Sequence, residues 1–295
     1  MDEVICNACP RRCGAVRTET SGEGVCGMGM LPRLARAAAH MWEEPCISGE
    51  RGSGAVFFSG CPLKCVFCQN RRISAGGFGK TVTAARLREV FLELASTGVH
   101  NINLVNPTHY IDSIIEACSG GLPVPVVWNS GGYETVDSLR RLNGVVDIFL
   151  PDMKYALNAP AARYSAAADY PETAKAAILE MFHQTGPYVI GDDGMLRSGV
   201  IIRHLILPGN LDNTRAVIDW IASEFGPGDV LFSLMSQYTP CGDLTDFPEL
   251  TRRITSEEYE EATAYLDASG IEDGFYQELS SAEEEYIPDF DLTGV

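Results

Sequence analysis

Basic residues are scarce in this chain, which limits what it can bind. Its 295 residues contain 22 Lys and Arg against 40 Asp and Glu, which gives a net charge of −18. A protein that follows a nucleic-acid backbone depends on many Lys and Arg contacts to phosphate. The composition therefore argues against broad nucleic-acid binding, and Arg11-Arg12 and Arg71-Arg72 are most simply interpreted as solvated arginines.

Long apolar runs are also lacking. No run approaches the roughly 18 residues that a membrane span needs. The segment Met1-Asp-Glu-Val-Ile5 has neither the basic region nor the apolar region of a signal peptide. Ten cysteines with metal-like spacings and no secretion signal favour a reducing compartment. We therefore expect an intracellular, cytoplasmic protein without membrane contacts.

The central cysteine group lacks a fourth member. Cys61-Pro-Leu-Lys-Cys65-Val-Phe-Cys68 has the spacing Cys-x3-Cys-x2-Cys, and Gln69-Asn70 follow where another thiol could stand. Thiolates bind zinc, copper(I) or iron–sulfur clusters, and a closed structural site normally takes four protein ligands. Three thiolates leave one metal position open, which favours chemistry over a structural role. A four-thiolate zinc site completed from elsewhere in the chain is the alternative.

A second cysteine group lies within the first 30 residues, with the spacing Cys-x2-Cys-x3-Cys-x12-Cys and several glycines. A short segment of this kind cannot build a core alone, so four thiols suit a small metal-held unit. Zinc and an iron–sulfur cluster both agree with the thiolate count, and free cysteines in a flexible leader are the alternative without a metal. The four residues are Cys6, Cys9, Cys13 and Cys26.

The chain divides into a Cys-rich leader and linker, residues 1–48, and a larger domain, residues 49–295. The larger domain alternates strand-like and helix-like runs, which predicts βα units and a parallel sheet. Residues 31–40 are compatible with a strand or a short helix, and residues 155–170 are predicted as a loop. Six units are two short of the eight that close a TIM barrel. The six predicted strands span residues 55–59, 101–105, 124–128, 145–150, 199–209 and 229–235.

Polar side chains stand at or just after the predicted strands. Since the working face of a parallel βα barrel lies at the carboxyl ends of its strands, we expect these groups to converge. Simpler interpretations exist for several of them: Asp152 and Lys154 as one exposed ion pair, His204 as a core histidine and His109 as a helix-start residue. The groups, in strand order, are Cys61, Cys65 and Cys68; Asn106, Thr108 and His109; Asn129 and Ser130; Asp152 and Lys154; His204; Gln237 and Tyr238.

The segment around the central cysteines resembles the radical S-adenosylmethionine superfamily, in the branch of pyruvate formate-lyase activating enzyme. It reads Gly54-Ala-Val-Phe-Phe-Ser-Gly-Cys-Pro-Leu-Lys-Cys-Val-Phe-Cys-Gln-Asn70. Cys9-Pro-Arg-Arg-Cys13-Gly is similar to leaders in that branch, which strengthens the assignment of the four leader cysteines as ligands of a second site, zinc or iron–sulfur. The resemblance implies an α/β fold, a partial TIM-type (β/α)6 barrel with a small Cys-rich N-terminal segment. A C-terminal extension, Gly274 to Asp291, would cover one barrel end.

The resemblance also implies a site. Cys61, Cys65 and Cys68 would hold three irons of a [4Fe-4S] cluster, and S-adenosylmethionine would chelate the fourth. The family's Gly-Gly-Glu-Pro loop, which binds the cofactor's amino group, is here Val105-Asn-Pro-Thr-His109, whereas Asp152-x-Lys154 matches the family. The implied cofactor-binding residues are Phe67, Asn106, Thr108, Asn129, Ser130, Asp152, Lys154 and His204.

The implied reaction is an oxidoreductase step. The reduced cluster cleaves S-adenosylmethionine, and the 5′-deoxyadenosyl radical abstracts hydrogen from a substrate. Reduced flavodoxin or ferredoxin is the expected electron donor, and a glycyl radical enzyme or a small molecule the expected substrate. A non-catalytic iron–sulfur or zinc protein that serves in electron transfer or binding is the alternative. Glu43 and Glu44 lie in a segment that in this family precedes the cluster loop. The resemblance allows them to face the active site, and the simpler interpretation is as solvated glutamates.

Overall fold

The computed structural model describes residues 4–277 and 288–295. Its strands are β1 (Val4–Ile5), β2 (Val16–Arg17), β3 (Arg33–His40), β4 (Ser53–Phe58), β5 (Lys80–Thr81), β6 (Ile102–Val105), β7 (Val126–Ser130), β8 (Ile148–Pro151), β9 (Val189–Ile190), β10 (Leu196–Leu205), β11 (Leu231–Met235) and β12 (Gly274–Tyr276). Its α-helices are α1 (Pro45–Ser48), α2 (Arg71–Ser74), α3 (Ala84–Ser96), α4 (Ile111–Cys118), α5 (Val136–Arg140), α6 (Asn158–Ser165), α7 (Tyr170–Thr185), α8 (Leu211–Glu224) and α9 (Ser256–Ser269).

The main sheet has the strand order β12-β11-β10-β8-β7-β6-β4-β3-β5. Neighbours from β4 to β12 along this order are parallel, whereas β3 pairs antiparallel with both β4 and β5. Within the described residues the end strands β5 and β12 do not pair with each other, so the barrel stays open. The predicted partial barrel with six βα strands is confirmed.

Burial on both faces explains why the central strands are almost continuously apolar. All residues of β4, β7, β8 and β11 are buried, as expected for parallel strands that helices cover. Helix α3 buries Leu87, Val90 and Phe91, and its predicted N-cap Thr83 accepts a hydrogen bond from the Arg86 amide. Cys118 is buried in α4, as its position among isoleucines predicts.

Two segments acquire their structure from packing. Residues 33–40, compatible with strand or helix, form β3 because they complete the edge of the sheet beside β4. The predicted loop at 155–170 was wrong in part, since it contains α6. This helix buries Ala161, Tyr164 and Ser165, and packing of that kind, more than propensity, stabilises short helices.

The leader is fastened to the barrel by two arginines. Arg11, expected to be solvated, donates through Nε to the Pro62 carbonyl at 2.7 Å, and its guanidinium lies 5.4 Å from the centroid of the Tyr133 ring. Arg17 is buried and donates to the carbonyl oxygens of Met28 at 3.1 Å and His109 at 3.0 Å. The leader therefore packs directly against the loop that carries the central cysteines.

The predicted C-terminal extension falls partly outside the described residues, which omit 278–287. On the near side of that gap, β12 extends the sheet parallel to β11. On the far side, Phe290 is buried and its ring centroid lies 5.5 Å from that of Phe57. Within residues 4–277 and 288–295, no helix is both long enough and apolar enough to cross a bilayer.

Candidate active site

A cavity of about 340 Å³ opens at the carboxyl ends of the parallel strands. Two of the central cysteines stand in its wall beside polar or charged groups from β7, the end of β8, β10 and β11 and from the segment before α1. Of the groups expected to converge, Cys65, Cys68, Asn129, Asp152, Lys154, Gln237 and Tyr238 line this cavity. Its wall includes Glu43, Glu44, Cys65, Phe67, Cys68, Gln69, Asn70, Asn129, Asp152, Lys154, Arg203, Ser233, Gln237 and Tyr238.

The loop after β4 presents the central cysteines, and α6 holds that loop. The amides of Lys64 and Val66 donate to the carbonyl oxygens of Ser165 at 3.2 Å and Tyr164 at 2.9 Å. The Cys65 Sγ atom lies 3.0 Å from the Ser165 hydroxyl. The segment that was predicted as a loop therefore positions a central cysteine.

The three thiols form a group whose charges interact. Burial raises the pKa of Cys61, and the neighbouring thiols Cys65 and Cys68 raise it further. Burial also raises the pKa of Cys65, although the Lys154 ammonium opposes this. Buried thiols beside a cation suit binding as thiolates to a metal group, because a metal replaces the proton.

No three His, Cys, Asp or Glu side chains of the described part of the chain converge on one point as ligands of a single ion would. An iron–sulfur cluster makes no such demand, since each thiolate binds a different iron. Three thiols at the edge of a cavity thus have the donor chemistry for a cluster with one open iron.

Arg203 on β10 organises the polar wall of the cavity. Its Nη1 donates to Glu43 Oε2 at 2.9 Å, its Nε to Asp152 Oδ1 at 3.1 Å and its Nη2 to Asn129 Oδ1 at 2.6 Å. Lys154 Nζ pairs with the other oxygen of Asp152. A fork of planar donors can hold several acceptors in fixed directions, which a lysine in the same place could not do.

Asp152 and Lys154 are a half-buried pair, so the interpretation as an exposed ion pair is wrong. Their side chains are 17% and 23% exposed. Burial works against the Asp152 charge, but Lys154 and Arg203 more than offset it and lower the pKa of this carboxyl. Burial likewise works against the Lys154 charge, and Asp152 and Cys65 raise its pKa. Both side chains are therefore ionised where they face the cavity.

The remaining predicted cofactor residues divide into two groups. Phe67 lines the cavity, and its ring centroid is 5.9 Å from that of Tyr238. His204 does not line it, because its Nδ1 lies 2.7 Å from the Met153 carbonyl and its Nε2 lies 3.0 Å from Thr214 Oγ1. Burial lowers the pKa of His204 to about 4. His204 thus has the surroundings of a satisfied core histidine.

The loop after β6 turns its side chains toward protein partners. Asn106, at a positive φ of 60°, donates through Nδ2 to the Gly60 carbonyl. Thr108 Oγ1 donates to Glu134 Oε1 at 2.6 Å, and Ser130 Oγ accepts from the Gly132 amide at 3.3 Å. A cofactor contact of Asn106, Thr108 or Ser130 stays a prediction.

Glu134 is a buried carboxyl whose titration should affect stability. Burial raises its pKa to about 7, although Thr108 donates a hydrogen bond to it. An acid with a raised folded-state pKa stabilises the fold at low pH, and this contribution is lost as pH rises from the unfolded pKa through the folded one. The window here is about pH 4.5 to about pH 7.

We expect Glu134→Gln to remove this pH dependence, because glutamine keeps the acceptor for Thr108 and carries no charge. Relative to the variant, the wild-type free energy of unfolding should fall by about 3 kcal/mol across the window, at 1.36 kcal/mol per pKa unit. Anaerobic urea unfolding between pH 4.5 and pH 8 measures the difference. Parallel curves for the two proteins would contradict the assignment.

Two glutamates of the site were interpreted wrongly from sequence. Glu43 and Glu44 are not solvated: the Glu43 side chain is 9% exposed and Glu44 is 8% exposed. Besides Arg203, Glu43 Oε1 accepts hydrogen bonds from Asn103 at 3.0 Å and Asn129 at 3.1 Å. The local sequence around two adjacent acids before a proline does not indicate that they are buried. The hydrogen-bond partners of Glu43 come from β6, β7 and β10, which are distant in sequence.

Cys241 was not singled out from sequence and lies near the central group. Its Sγ is 3.1 Å from the Phe67 carbonyl oxygen. Burial raises the pKa of Cys241, and the neighbouring Cys68 raises it further. It is the thiol that the alternative with four thiolates would recruit.

The four leader cysteines lie near one another. Burial raises the pKa of Cys9 to about 11, with further increases from Cys26, Cys6 and Cys13. Arg17 Nη1 lies 3.7 Å from Cys6 Sγ. Burial raises the pKa of Cys26, and the Arg17 guanidinium opposes this by favouring the thiolate, which is the form that binds a metal.

Comparison with known proteins gives one relative in sequence. The chain is 33% identical over 267 residues to "Uncharacterized protein MJ0674" of Methanocaldococcus jannaschii, and the match covers 87% of this chain and 72% of the relative. No protein-family model matches the chain.

Three solved structures share fold-level similarity. SuiB of Streptococcus suis is 13% identical at a TM-score of 0.48, covering 77% of this chain and 50% of SuiB. A domain of pyruvate-formate lyase-activating enzyme from Bacteroides vulgatus is 10% identical at 0.36, covering 66% and 91%. HydG, a maturase of the [FeFe]-hydrogenase, is 15% identical at 0.49, covering 73% and 48%. The chain spans about half of SuiB and of HydG.

Proposed function

We propose that this chain, which belongs to the same family as the uncharacterised protein MJ0674 of Methanocaldococcus jannaschii, is a radical S-adenosylmethionine enzyme. One observation carries the proposal. The Cys-x3-Cys-x2-Cys loop borders a cavity at the carboxyl ends of parallel strands, and the largely shielded ions Asp152, Lys154 and Arg203 stand in the same wall. A purely structural metal site needs no such cavity, whereas a cofactor with both a carboxylate and an amine does.

Different residues of this chain would bind the cluster, the methionyl end and the adenine of the cofactor. Cys61, Cys65 and Cys68 would hold a [4Fe-4S] cluster as thiolates. Lys154 and Asp152 offer a cation and an anion within one ion pair, which suits the two charged groups at the methionyl end of S-adenosylmethionine. Phe67 offers an apolar ring surface for the adenine. The bound cluster and cofactor would supply one-electron cleavage to a 5′-deoxyadenosyl radical that abstracts hydrogen, as the protein positions the substrate and excludes water.

Anaerobic reconstitution tests the proposal directly. The protein is loaded with iron and sulfide, reduced with dithionite and incubated with S-adenosylmethionine, and 5′-deoxyadenosine is measured by mass spectrometry. Formation of 5′-deoxyadenosine supports the enzyme. An intact cluster without cleavage would favour the electron-transfer alternative, and zinc without visible charge-transfer absorption would favour a binding module.

Reduced flavodoxin or ferredoxin is the proposed physiological electron donor and replaces dithionite in a second assay. A glycyl radical enzyme and a small molecule are the two substrate classes to be offered. Transfer of the radical to a backbone glycine would give a protein-centred signal in electron paramagnetic resonance, whereas a small molecule would leave a modified product in solution.

The leader cysteines are proposed to hold a second metal group, so Cys9→Ala should lower the metal content per chain. The cluster proposed at Cys61, Cys65 and Cys68 should keep its S-adenosylmethionine-dependent electron paramagnetic resonance signal, because its own ligands are intact. Metal analysis by mass spectrometry with low-temperature resonance measures both. Cys118→Ala, which alters a thiol in the core of α4, is the matched control. Unchanged iron and zinc in Cys9→Ala would remove the ligand assignment.

A further inference from the structure

Glu44 is a buried acid with an unsatisfied oxygen. Its Oε2 atom has no hydrogen-bond partner among the described residues, although the residue lines the cavity. Burial raises the pKa of the Glu44 carboxyl, and the nearby Arg203 guanidinium and Ser233 hydroxyl oppose this. A buried carboxylate oxygen without a partner costs free energy, so its retention beside a cavity indicates a ligand.

Among the described residues of the cavity wall, Glu44 is the acid without an ion-pair partner. Within the described wall, the acids are Glu43, Glu44 and Asp152, and the lysine and arginine cations are Lys154 and Arg203. Lys154 pairs with Asp152, and Arg203 pairs with Asp152 and Glu43. Glu44 makes no ion pair within 4.0 Å with a described residue. Arg203 attracts it, but each guanidinium nitrogen of Arg203 already donates to another acceptor.

The polar wall can be followed from Cys65, beside Lys154 and Asp152, to Glu44, beside Arg203 and Ser233. Asp152 pairs with Arg203, and Arg203 is in register with Ser233 on the next strand. A cofactor bound at the thiols and Lys154 would therefore leave the Glu44 end free.

Apolar side chains adjoin this end. Phe275 on β12 is in register with Ser233, and Leu205 and Met235 line the cavity two positions beyond Arg203 and Ser233 on their strands. Alternate residues of a strand share a face, so Leu205 and Met235 line the cavity on the same side as Arg203 and Ser233, and Phe275 lines it from β12. A ligand that fits both the Glu44 carboxyl and these apolar side chains would carry a cation on a short alkyl chain.

We infer that the Glu44 end of the cavity is the substrate subsite of this enzyme and takes the ammonium group of a primary alkyl amine. The inference rests on the proposed function, since the cluster and S-adenosylmethionine would occupy the other end. Glu44 would accept a hydrogen bond from the ammonium, and the apolar surface of Leu205, Met235 and Phe275 would cover the alkyl chain.

Ligand-detected nuclear magnetic resonance with n-butylamine tests the subsite, with 1-butanol as the neutral probe of similar size. The protein is reconstituted anaerobically and saturated with S-adenosylmethionine. We expect the wild type to bind n-butylamine about tenfold more tightly than 1-butanol, the lower end for a charged hydrogen bond. Glu44→Gln should lose that preference, and Glu116→Gln, which removes an exposed acid on α4, should keep it.

Thermal unfolding separates a binding role from a structural one. Removing an unpaired buried charge should raise the melting temperature of Glu44→Gln, whereas loss of a structural contact would lower it. A lowered melting temperature, an absent preference for the amine in the wild type, or an unchanged preference in Glu44→Gln would each overturn the subsite. An equal loss of S-adenosylmethionine affinity would also overturn it, because the carboxylate would then serve the cofactor.

Measuring 5′-deoxyadenosine in the same preparations keeps the two proposals apart. Wild-type protein that cleaves S-adenosylmethionine but does not prefer the amine would contradict the subsite proposal alone. Protein that binds the amine through Glu44 but never cleaves S-adenosylmethionine would contradict the proposed radical function and support an amine-binding site.

Discussion

Cys65→Ala is expected to abolish S-adenosylmethionine cleavage. Removing an outer-shell partner of a metal ligand already costs 10–100-fold in affinity or activity, so loss of the ligand itself should cost more than about 100-fold. Cys65 lines the cavity and adjoins Lys154, so its thiolate would hold the cluster beside the charged groups proposed to bind the cofactor. The rate of 5′-deoxyadenosine formation and the iron content per chain are the measurements.

Two other cysteines provide controls with different meanings. Cys118→Ala changes a thiol of the core and should keep the rate within about threefold, as its substitution is conservative in volume. Cys241→Ala tests the alternative with four thiolates. If the central site is open, this variant keeps its cluster; if Cys241 closes the site, metal is lost and the proposed open iron with it.

Arg203→Met is expected to destabilise the protein by about 3–5 kcal/mol, the usual cost of removing one partner from a buried ion pair. The substitution keeps most of the side-chain volume but leaves Glu43 without its ion partner and Asp152 with Lys154 alone. Anaerobic urea unfolding at neutral pH measures the change as a shift of the midpoint.

Arg86→Met is the matched control. Arg86 also pairs with two acids, Glu89 at 3.0 Å and Glu93 at 2.6 Å, but on the exposed face of α3. Exposed pairs contribute about 0–1 kcal/mol, so this variant should remain close to the wild type. Similar losses for the two variants would mean that water reaches Glu43 and Asp152, against their burial.

The sequence predicts the central cysteine loop, the six parallel strands and the position of most polar groups at strand ends. These features are local. Spacing within eight residues defines the loop, and apolar runs of strand length define strands that are buried on both faces. Because strand ends meet at one face of a parallel barrel, the convergence of Cys65, Asn129, Asp152 and Lys154 could also be predicted.

Which of these groups share the cavity depends on packing between parts of the chain that are far apart in sequence. Glu43 is 160 residues from Arg203 in the chain, and Cys65 is 100 residues from Ser165. No periodicity connects residues at such separations, so Glu43 and Glu44 had the pattern of solvated acids and residues 155–170 that of a loop. His204 had the pattern of a site residue until Met153 and Thr214 were placed at its two nitrogens. Burial and hydrogen-bond partners are properties of the packed barrel, and they, more than residue type, separate a cavity group from a core group.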